Sequence, residues 1–269
     1  MQIARSIFVR LAIILCIVNC LDYTIFAQTQ GYNQLTNTWG DGDNNEEDKD
    51  YCLNRRRLGE LIPKHRADSL CYIYADSMYN EAMARNDRKG GVMALSHKAL
   101  IHINYTHNID SMSIWTDSVK SYAKQHKLPR YYYSIWSQYI AALFESDYDK
   151  IKAKGEIDRM LEESMADNYV VVQIEGYRRL ASFYEFFNMH DRAYDMHIRG
   201  VRLTEEYDSD NENLAIYYAE AAQACINIGK YDEAEAYLAK GDKCAHGDAD
   251  RIQLLKSRID MAVSQDDGE

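Results

Sequence analysis

Three histidines recur at five-residue intervals and are the first residues to test as metal ligands. His97, His102 and His107 lie in a stretch whose apolar spacing predicts a helix. Five residues of an α-helix rotate a side chain by about 140° from the last one, so the three imidazoles spread around the helix. The spacing therefore predicts no metal site at these residues, and we expect no cofactor.

Two further histidines, His190 and His197, are seven residues apart and so share one face of a predicted helix. In a similar stretch farther along the chain, the corresponding residues are Tyr231 and Leu238. Because an aromatic and an aliphatic residue fill the same positions there, we expect both histidines to pack against neighbouring helices rather than to bind a metal.

No group of residues has the spacing of a catalytic site. The adjacent acids Glu162 and Glu163 point in different directions on a helix, as on a solvated face. No Ser/His/Asp or Cys/His set has a supporting turn motif, and Gly90 and Gly91 lack the pattern of a phosphate-binding loop. We therefore expect a protein without kinase or hydrolase activity.

The cysteines leave two states open. Four of them follow the N-terminal apolar segment and show no CxxC spacing typical of zinc or redox sites: Cys52, Cys71, Cys225 and Cys244. In an exported protein they could form disulfides, and they could equally be buried free thiols.

Composition indicates a folded protein and argues against some partners. The 269 residues are 46% hydrophobic and 12% aromatic, with 22 tyrosines and a formal net charge of −11. An acidic surface repels phosphate groups within a Debye length. We therefore expect neither nucleic acid nor an anionic membrane surface as a partner.

The N-terminus has the features of a signal peptide. Arg5 and Arg10 precede the apolar run LAIILCIVNCL, and Ala27 is a small residue at a plausible cleavage position. Asp22 interrupts the run before it reaches the roughly 20 apolar residues of a membrane span. We predict a cleaved signal peptide at residues 1–27 and a periplasmic or otherwise extracytoplasmic location. The alternative is a protein anchored in the membrane by this segment.

Two further regions follow the signal peptide. Residues 28–50 are polar, rich in Gly and Asn, and end in a cluster of acids, so they predict a flexible acidic linker. Residues 51–269 are predicted to be helical almost without interruption, because apolar residues recur every three or four positions between short polar breaks. No further apolar segment is long enough to span a bilayer. Such short breaks make consecutive helices antiparallel neighbours, which predicts an all-α fold of helical hairpins.

One hairpin is well marked by INIGKYDEAEAYLAKG, residues 226–241. Gly229 can adopt the positive φ that ends a helix. Ala222 and Ala234 keep side chains small where the two helices meet, and Tyr231 lies on the same face as Ala234. This stretch therefore predicts a turn between two closely packed helices.

Self-comparison finds similar stretches upstream. One, 41 positions earlier, places Tyr177, Ala181, Asn188, His190, Ala193, His197 and Gly200 at the same offsets. Another, 42 positions farther back, is more degenerate and places Ile135, Tyr139, Ser146, Tyr148, Ile151 and Gly155 there. The sequence thus predicts a repeat of helical hairpins.

These positions resemble the tetratricopeptide repeat, whose small and aromatic residues match Tyr218, Ala222, Gly229, Tyr231 and Ala234. The proline that often closes that repeat is missing. The intervals of 41 and 42 positions also exceed the usual length of that repeat, which is about 34 residues. The resemblance implies a superhelix (α-α solenoid) of stacked hairpins with long helices.

Residues of roughly 60–245, including YYYSIWSQYI and RMLEESMADNYVVVQIEGYRRLASFYEFF, also resemble the exported sensory region of repeat-containing two-component histidine kinases of Bacteroides-type bacteria. That resemblance implies an extracytoplasmic sensor in signal transduction, followed by a membrane span and a kinase. The sequence contains no span after the signal peptide, phosphoacceptor motif or nucleotide-binding box, so kinase activity is not implied. Either the chain is a stand-alone relative, or it is the sensory region of a longer or split kinase.

In the repeat family, the first helix of each hairpin lines a concave ligand groove. The positions that contact ligand there correspond to Tyr133, Trp136, Ile140, Phe144, Glu175, Arg178, Ser182, Glu185, Phe186, Ile216, Ala219, Gln223 and Asn227. The resemblance thus implies a protein or peptide partner, and the sequence is also compatible with a homo-oligomer. For the aromatic residues in this set, packing between hairpins is an equally good interpretation.

Overall fold

The computed structural model of the chain describes residues 49–65, 68–145 and 149–266. The predicted signal peptide (1–27) and almost all of the predicted linker (28–50) lie outside these residues. The first described helix begins at Lys49, two residues before the predicted start of the helical region.

The described residues form helices joined by short turns and contain no strand, which confirms the all-α class for this part of the chain. Eleven α-helices and one π-helical turn are described. They are α1 (Lys49–Lys64), α2 (Leu70–Ala84), α3 (Arg88–Ile101), the π-helical turn (His102–Thr106), α4 (Ile109–Gln125), α5 (Pro129–Glu145), α6 (Lys150–Ala166), α7 (Val170–Phe186), α8 (His190–Tyr207), α9 (Leu214–Asn227), α10 (Tyr231–Cys244) and α11 (Asp248–Asp266).

The chain divides into two compact units, and the division falls inside α5, between Tyr139 and Ile140. In the first unit, α1 to α4 pack each against the next, and α1 also contacts α3. In the second unit, α6 to α11 pack in the same sequential manner, and α9 also contacts α11. Within each unit the connections are short, so consecutive helices run antiparallel. None of the helices described has both the length and the apolarity needed to cross a bilayer.

One type of turn recurs along the chain and explains its periodicity. The residue at the turn has a positive φ, and the next amide donates a hydrogen bond of 2.8–2.9 Å to a carbonyl five residues before it, as in a Schellman motif. These turn residues are Asn86, Lys127, Asn168, Asn188 and Gly229, with φ between 52° and 75°. An interval of 41 positions separates the first from the second, the second from the third, and the fourth from the fifth. Four of the five residues are Asn or Gly, which adopt this conformation at low cost.

Small residues line the contacts between helices of the second unit. Ala181, Ala193, Ala222 and Ala234 are all buried. Ala222 and Ala234 belong to a core cluster that includes Leu238 and Leu254. Side chains this small allow α9 and α10 to approach closely, so that the larger Leu238 fills the remaining space.

The predicted alignment of α6 with the later hairpins is wrong by two residues. Ile151, aligned with Ala193 in the sequence, is 80% exposed, and Gly155 has no atom near the position of a Cβ. The buried residue is Ala153, which lies 40 positions before Ala193 and three positions after the start of α6, as Ala193 does in α8. Helix α6 thus begins at Lys150, two residues later than the sequence alignment with α8 predicted.

The four cysteines of the described residues, Cys52, Cys71, Cys225 and Cys244, are free thiols. Burial raises the pKa of Cys225 to about 12, so this thiol stays protonated at neutral pH. Of the two states left open by the sequence, the structure has the unpaired one.

Candidate binding surface

Three of the predicted groove residues on α5 are buried. Tyr133, Trp136 and Ile140 are each at most 3% exposed. The Tyr133 and Trp136 rings stack with their centroids 6.3 Å apart, and Lys120 Nζ lies 3.8 Å from the centre of the Trp136 ring. Side chains so enclosed offer no surface to a ligand, and we remove them from the candidate surface in favour of the packing interpretation.

A shift of one residue in α5 explains this difference. Helices α5 and α7 are both 17 residues long. Helix α7 begins and ends 41 positions after α5, whereas the sequence alignment used 42. One residue rotates a helix by about 100°, which is enough to exchange an exposed position for a buried one. With the interval of 41, the positions of α5 that correspond to the groove face of α7 are Ser134, Ser137 and Ala141, and all three are half-buried.

Arg178, predicted to contact ligand, is held within the protein by an ion pair. Its Nε and Nη2 donate to the two carboxylate oxygens of Glu220 at 2.9 and 2.6 Å, and so connect α7 with α9. The guanidinium also lies 4.4 Å from the centre of the Tyr217 ring. The side chains of Arg178 and Glu220 are only 22% and 19% exposed.

The electrostatics of this pair keep both groups charged. Burial alone would raise the pKa of Glu220, but the charge and hydrogen bonds of Arg178 offset it and leave the pKa below its ordinary value. Burial would likewise lower the pKa of Arg178, and Glu220 holds it above the ordinary value instead. Glu175 forms ion-pair contacts with both neighbouring arginines, at 2.8 Å from Arg179 Nε and 3.7 Å from Arg178 Nη1. The positive charges of the two arginines balance the negative charges of the two glutamates, so this part of the face carries no net charge.

Glu185, another predicted groove residue, lies 2.9 Å from His197, measured from Oε1 to Nε2. His197 is 5% exposed, so the pair joins the end of α7 to the interior of α8. The expectation that His197 packs between helices agrees with its burial. His190, at the start of α8, is half-buried.

The remaining polar residues of the predicted groove face solvent to different degrees. Ser182 on α7 and Asn227 on α9 are exposed, and Gln223 is half-buried. Gln223 Nε2 donates to Asn227 Oδ1 at 3.3 Å. These amide and hydroxyl groups can donate and accept hydrogen bonds. Of the other predicted positions on α9, Ile216 is half-buried and Ala219 is fully buried, so Ala219 offers no surface.

Four phenylalanines cluster where α5 and α7 end, and we call Phe144, Phe183, Phe186 and Phe187 the phenylalanine cluster. Phe144 contacts Phe186 edge-on, with centroids 5.7 Å apart, and Phe186 contacts Phe187 in the same manner at 5.1 Å. Phe183 is 6% exposed and anchors the cluster, with its centroid 4.9 Å from that of Phe187. Phe186 and Phe187 are 55% and 44% exposed. A large part of both rings is thus available to a partner.

Lys150 borders this cluster. Its Nζ lies 4.7 Å from the centre of the Phe186 ring and 5.7 Å from that of Phe144. A cation at this distance is attracted to the ring face. Sequence reasoning identified Phe144 and Phe186 but missed Phe183, Phe187 and Lys150. The signal available was FYEFF, residues 183–187, which places three phenylalanines within five positions at the end of a helix.

No reactive centre is found in the described parts of the chain. They contain no group of three or more His, Cys, Asp or Glu residues positioned to hold a metal ion. Burial lowers the pKa of His97 to about 4, so this imidazole is neutral inside α3. His102 lies in the π-helical turn, with Nδ1 3.0 Å from Thr106 Oγ1. What the face of α7 and α9 offers is aromatic surface beside hydrogen-bonding groups, an arrangement suited to binding.

Comparison with known proteins does not extend this description: no protein-family model matches the chain, and no curated protein matches it.

Proposed function

We propose that the chain is a non-enzymatic helical-hairpin protein that binds a protein or peptide through the exposed face of α7 and α9. The observation that carries this proposal is the exposure of Phe186 and Phe187 next to each other, at 55% and 44%. Water-exposed aromatic clusters of this kind are costly for an isolated domain and often mark interaction sites.

The chemistry of the face favours a peptide segment with a large apolar side chain. The phenylalanine cluster provides an apolar contact with a preformed geometry, because Phe183 and Phe144 hold the exposed rings in place. Ser182, Gln223 and Asn227 provide donors and acceptors for a peptide backbone. Since Arg178 is already paired with Glu220, we do not expect an acidic side chain or carboxylate to be the main recognition element.

We further propose that the hairpins within each unit stack in the manner of tetratricopeptide repeats. The recurrence of positive-φ turns at intervals of 41 positions supports this architecture. So does the burial of Ala181, Ala193, Ala222 and Ala234 at the corresponding helix contacts. The interval is longer than the length of about 34 residues typical of that repeat. Long helices account for the difference, since α5, α6 and α7 each contain 17 residues.

We place this binding role outside the cytoplasm, sensing or relaying a signal, on the basis of the signal-peptide features and the resemblance to exported sensory regions. Fractionation of cells that produce the full chain tests the location. We expect the mature protein in the extracytoplasmic fraction with Gln28 as its first residue, and an uncleaved cytoplasmic protein would contradict this part of the proposal.

Selection of binders from a displayed library of random peptides tests the binding role. The target is the chain without its predicted signal peptide. The comparison variant is Phe186→Ser/Phe187→Ser, which removes the exposed rings. The matched control is Leu53→Ser/Ile73→Ser, which removes two side chains of similar exposure, 60% and 53%, from the other unit.

We expect peptides that contain a large apolar residue to be enriched on the unsubstituted protein. Their affinity should fall about tenfold or more in the phenylalanine variant, as for the loss of aromatic anchors, and should be unchanged in the control. No enrichment, or equal affinity for both variants, would refute the proposal.

A further inference from the structure

The last described helix, α11, has apolar residues on two opposite faces. On the inner face, Leu254 is 2% exposed and belongs to the core cluster of α9 and α10, and Met261 packs against that cluster. On the outer face, Ile252, Leu255, Ile259 and Val263 are each 53–56% exposed. We call these four residues the outer stripe. A helix that is apolar on both sides is typical of one that is covered on both sides.

The outer stripe is continuous. Its residues are separated by three, four and four positions, so they follow one line along the helix for about 17 Å. Exposed apolar side chains scattered over a surface need no explanation, but four in one line form a contact surface.

Contacts on the inner side fix the stripe in its outward orientation. Arg258 bridges two carboxylates of α10, with Nη1 2.8 Å from Glu235 and Nη2 2.6 Å from Asp242. Tyr231 donates its hydroxyl to the Ser264 carbonyl at 3.4 Å. Rotation of α11 that would hide the stripe must break these contacts and withdraw Leu254 from the core. The stripe is therefore a stable feature of the folded chain.

We propose that the outer stripe pairs two copies of this chain, with the two α11 helices antiparallel about a two-fold axis. The spacing of the stripe is self-complementary in this arrangement. An axis that crosses the outer stripe at the level of residue 257 places Ile252 opposite Val263 of the second copy and Leu255 opposite Ile259 of the second copy. Each copy uses the same surface, as two-fold symmetry requires.

The charges beside the stripe select the antiparallel arrangement. Lys256 and Asp260 are both exposed and lie along one edge of the outer stripe. The axis that aligns the apolar residues brings Lys256 next to Asp260 of the second copy, and symmetry repeats this ion pair. A parallel arrangement would instead place this edge of the two copies on opposite sides of the helix pair, so that Lys256 and Asp260 of the second copy would not meet. This complementarity is the reason to favour a second copy over an unrelated partner.

The contact is small, and the dimer is correspondingly weak. Four half-exposed aliphatic side chains cover a few hundred Å² on each copy, whereas a standard interface covers about 800 Å² per partner. The net charge of −11 also opposes association of two copies. We therefore expect a dissociation constant of about 10–100 µM, within reach of sedimentation velocity.

Sedimentation velocity of the chain without its predicted signal peptide, up to about 200 µM protein in about 0.15 M salt, tests the pairing. Leu255→Glu should weaken the dimer about tenfold or more, because it buries an unpaired charge. Because Leu255 points outward, this substitution should leave the fold intact, and circular dichroism checks that it does. Ile73→Glu is the matched control, since Ile73 is 53% exposed, close to the 56% of Leu255, but lies on α2, and it should leave the dimer unchanged.

A charge exchange tests the orientation. Lys256→Glu should weaken the dimer about threefold or more, because the introduced carboxylate would then face Asp260 of the second copy. The double variant Lys256→Glu/Asp260→Lys should restore the affinity of the unsubstituted protein, since opposite charges again face each other. A chain that stays monomeric at the highest concentration would overturn the proposal and would indicate that a different protein binds the outer stripe. A dimer that tolerates Leu255→Glu, or a double variant as weak as Lys256→Glu, would overturn it as well.

Discussion

Arg178 and Glu220 form a two-point ion pair across α7 and α9, with nitrogen–oxygen distances of 2.9 and 2.6 Å. The two residues are 42 positions apart, and each sits on the first helix of its hairpin. The pair connects two helices that do not follow each other in the chain. It thereby fixes the face on which the proposed binding surface lies.

Replacing Arg178 by Ala should destabilise the protein by about 1–3 kcal/mol, because the Glu220 carboxylate loses both hydrogen bonds at a largely buried site. Urea unfolding measures this change. Arg178→Lys should lose part of the same stability, since an ammonium group cannot donate in the two-point geometry.

Arg251→Ala is the matched control. Its side chain is 69% exposed and lies 3.8 Å from a carboxylate oxygen of Asp248, so its loss should cost less than about 0.5 kcal/mol. In the double variant Arg178→Ala/Glu220→Ala, the loss should be smaller than the sum of the two single losses. Additive losses would show that the ion pair does not couple α7 to α9.

Stability should decrease in mild acid because of His97. Burial lowers its folded-state pKa to about 4, while the ordinary value is 6.5. Below pH 6.5 the unfolded chain binds a proton that the folded chain does not, so stability falls with pH until pH reaches about 4. Between about pH 7.5 and pH 5.5 this effect amounts to about 1.4 kcal/mol.

Urea unfolding of His97→Gln at the same two pH values isolates this contribution. The pH-dependent loss should shrink by about 1.4 kcal/mol in the variant, whatever its stability at the higher pH. His246→Gln, at an exposed position, should retain the full pH dependence. An identical dependence in His97→Gln would mean that His97 is accessible to protons in the folded protein.

Two glycines within helices, Gly241 in α10 and Gly155 in α6, should respond in opposite directions to the same substitution. A Cβ at Gly241 would come within 2.5 Å of Leu254, which is buried and cannot move away, so Gly241→Ala should destabilise by about 1–3 kcal/mol. Gly155 lies within α6 with open space around it, so Gly155→Ala should stabilise by about 0.5–1 kcal/mol. Thermal unfolding distinguishes them, and a loss of stability in both would contradict the open surroundings of Gly155 in α6.

The helical class and the local turns were predictable from the sequence because they depend on short-range signals. Apolar residues at three- and four-residue spacing predicted the helices, and Gly229 has the positive φ of 75° expected from its position after a helix. The residues Asn86, Asn168 and Asn188 adopt the same conformation. Lys127 does so too, and no local preference of lysine indicates it.

The register of each helix relative to the repeat was harder to predict, because it depends on contacts between helices that degenerate sequence motifs do not define. Tyr139 and Ile140 are both buried, so either alignment of α5 satisfies the apolar pattern. An error of one residue then moved three predicted groove positions into the interior. The partner of Arg178 was not predictable either, since Glu220 becomes its neighbour only when α7 and α9 are brought together.

The location of a bound peptide tests the central claim most directly. A peptide selected on the unsubstituted protein is prepared with a photoreactive benzophenone in place of its large apolar residue, and the crosslinked protein segment is identified by mass spectrometry. The account predicts adducts at the phenylalanine cluster or at adjacent residues of α7 and α9. Adducts confined to α1–α4 or to α11 would contradict it.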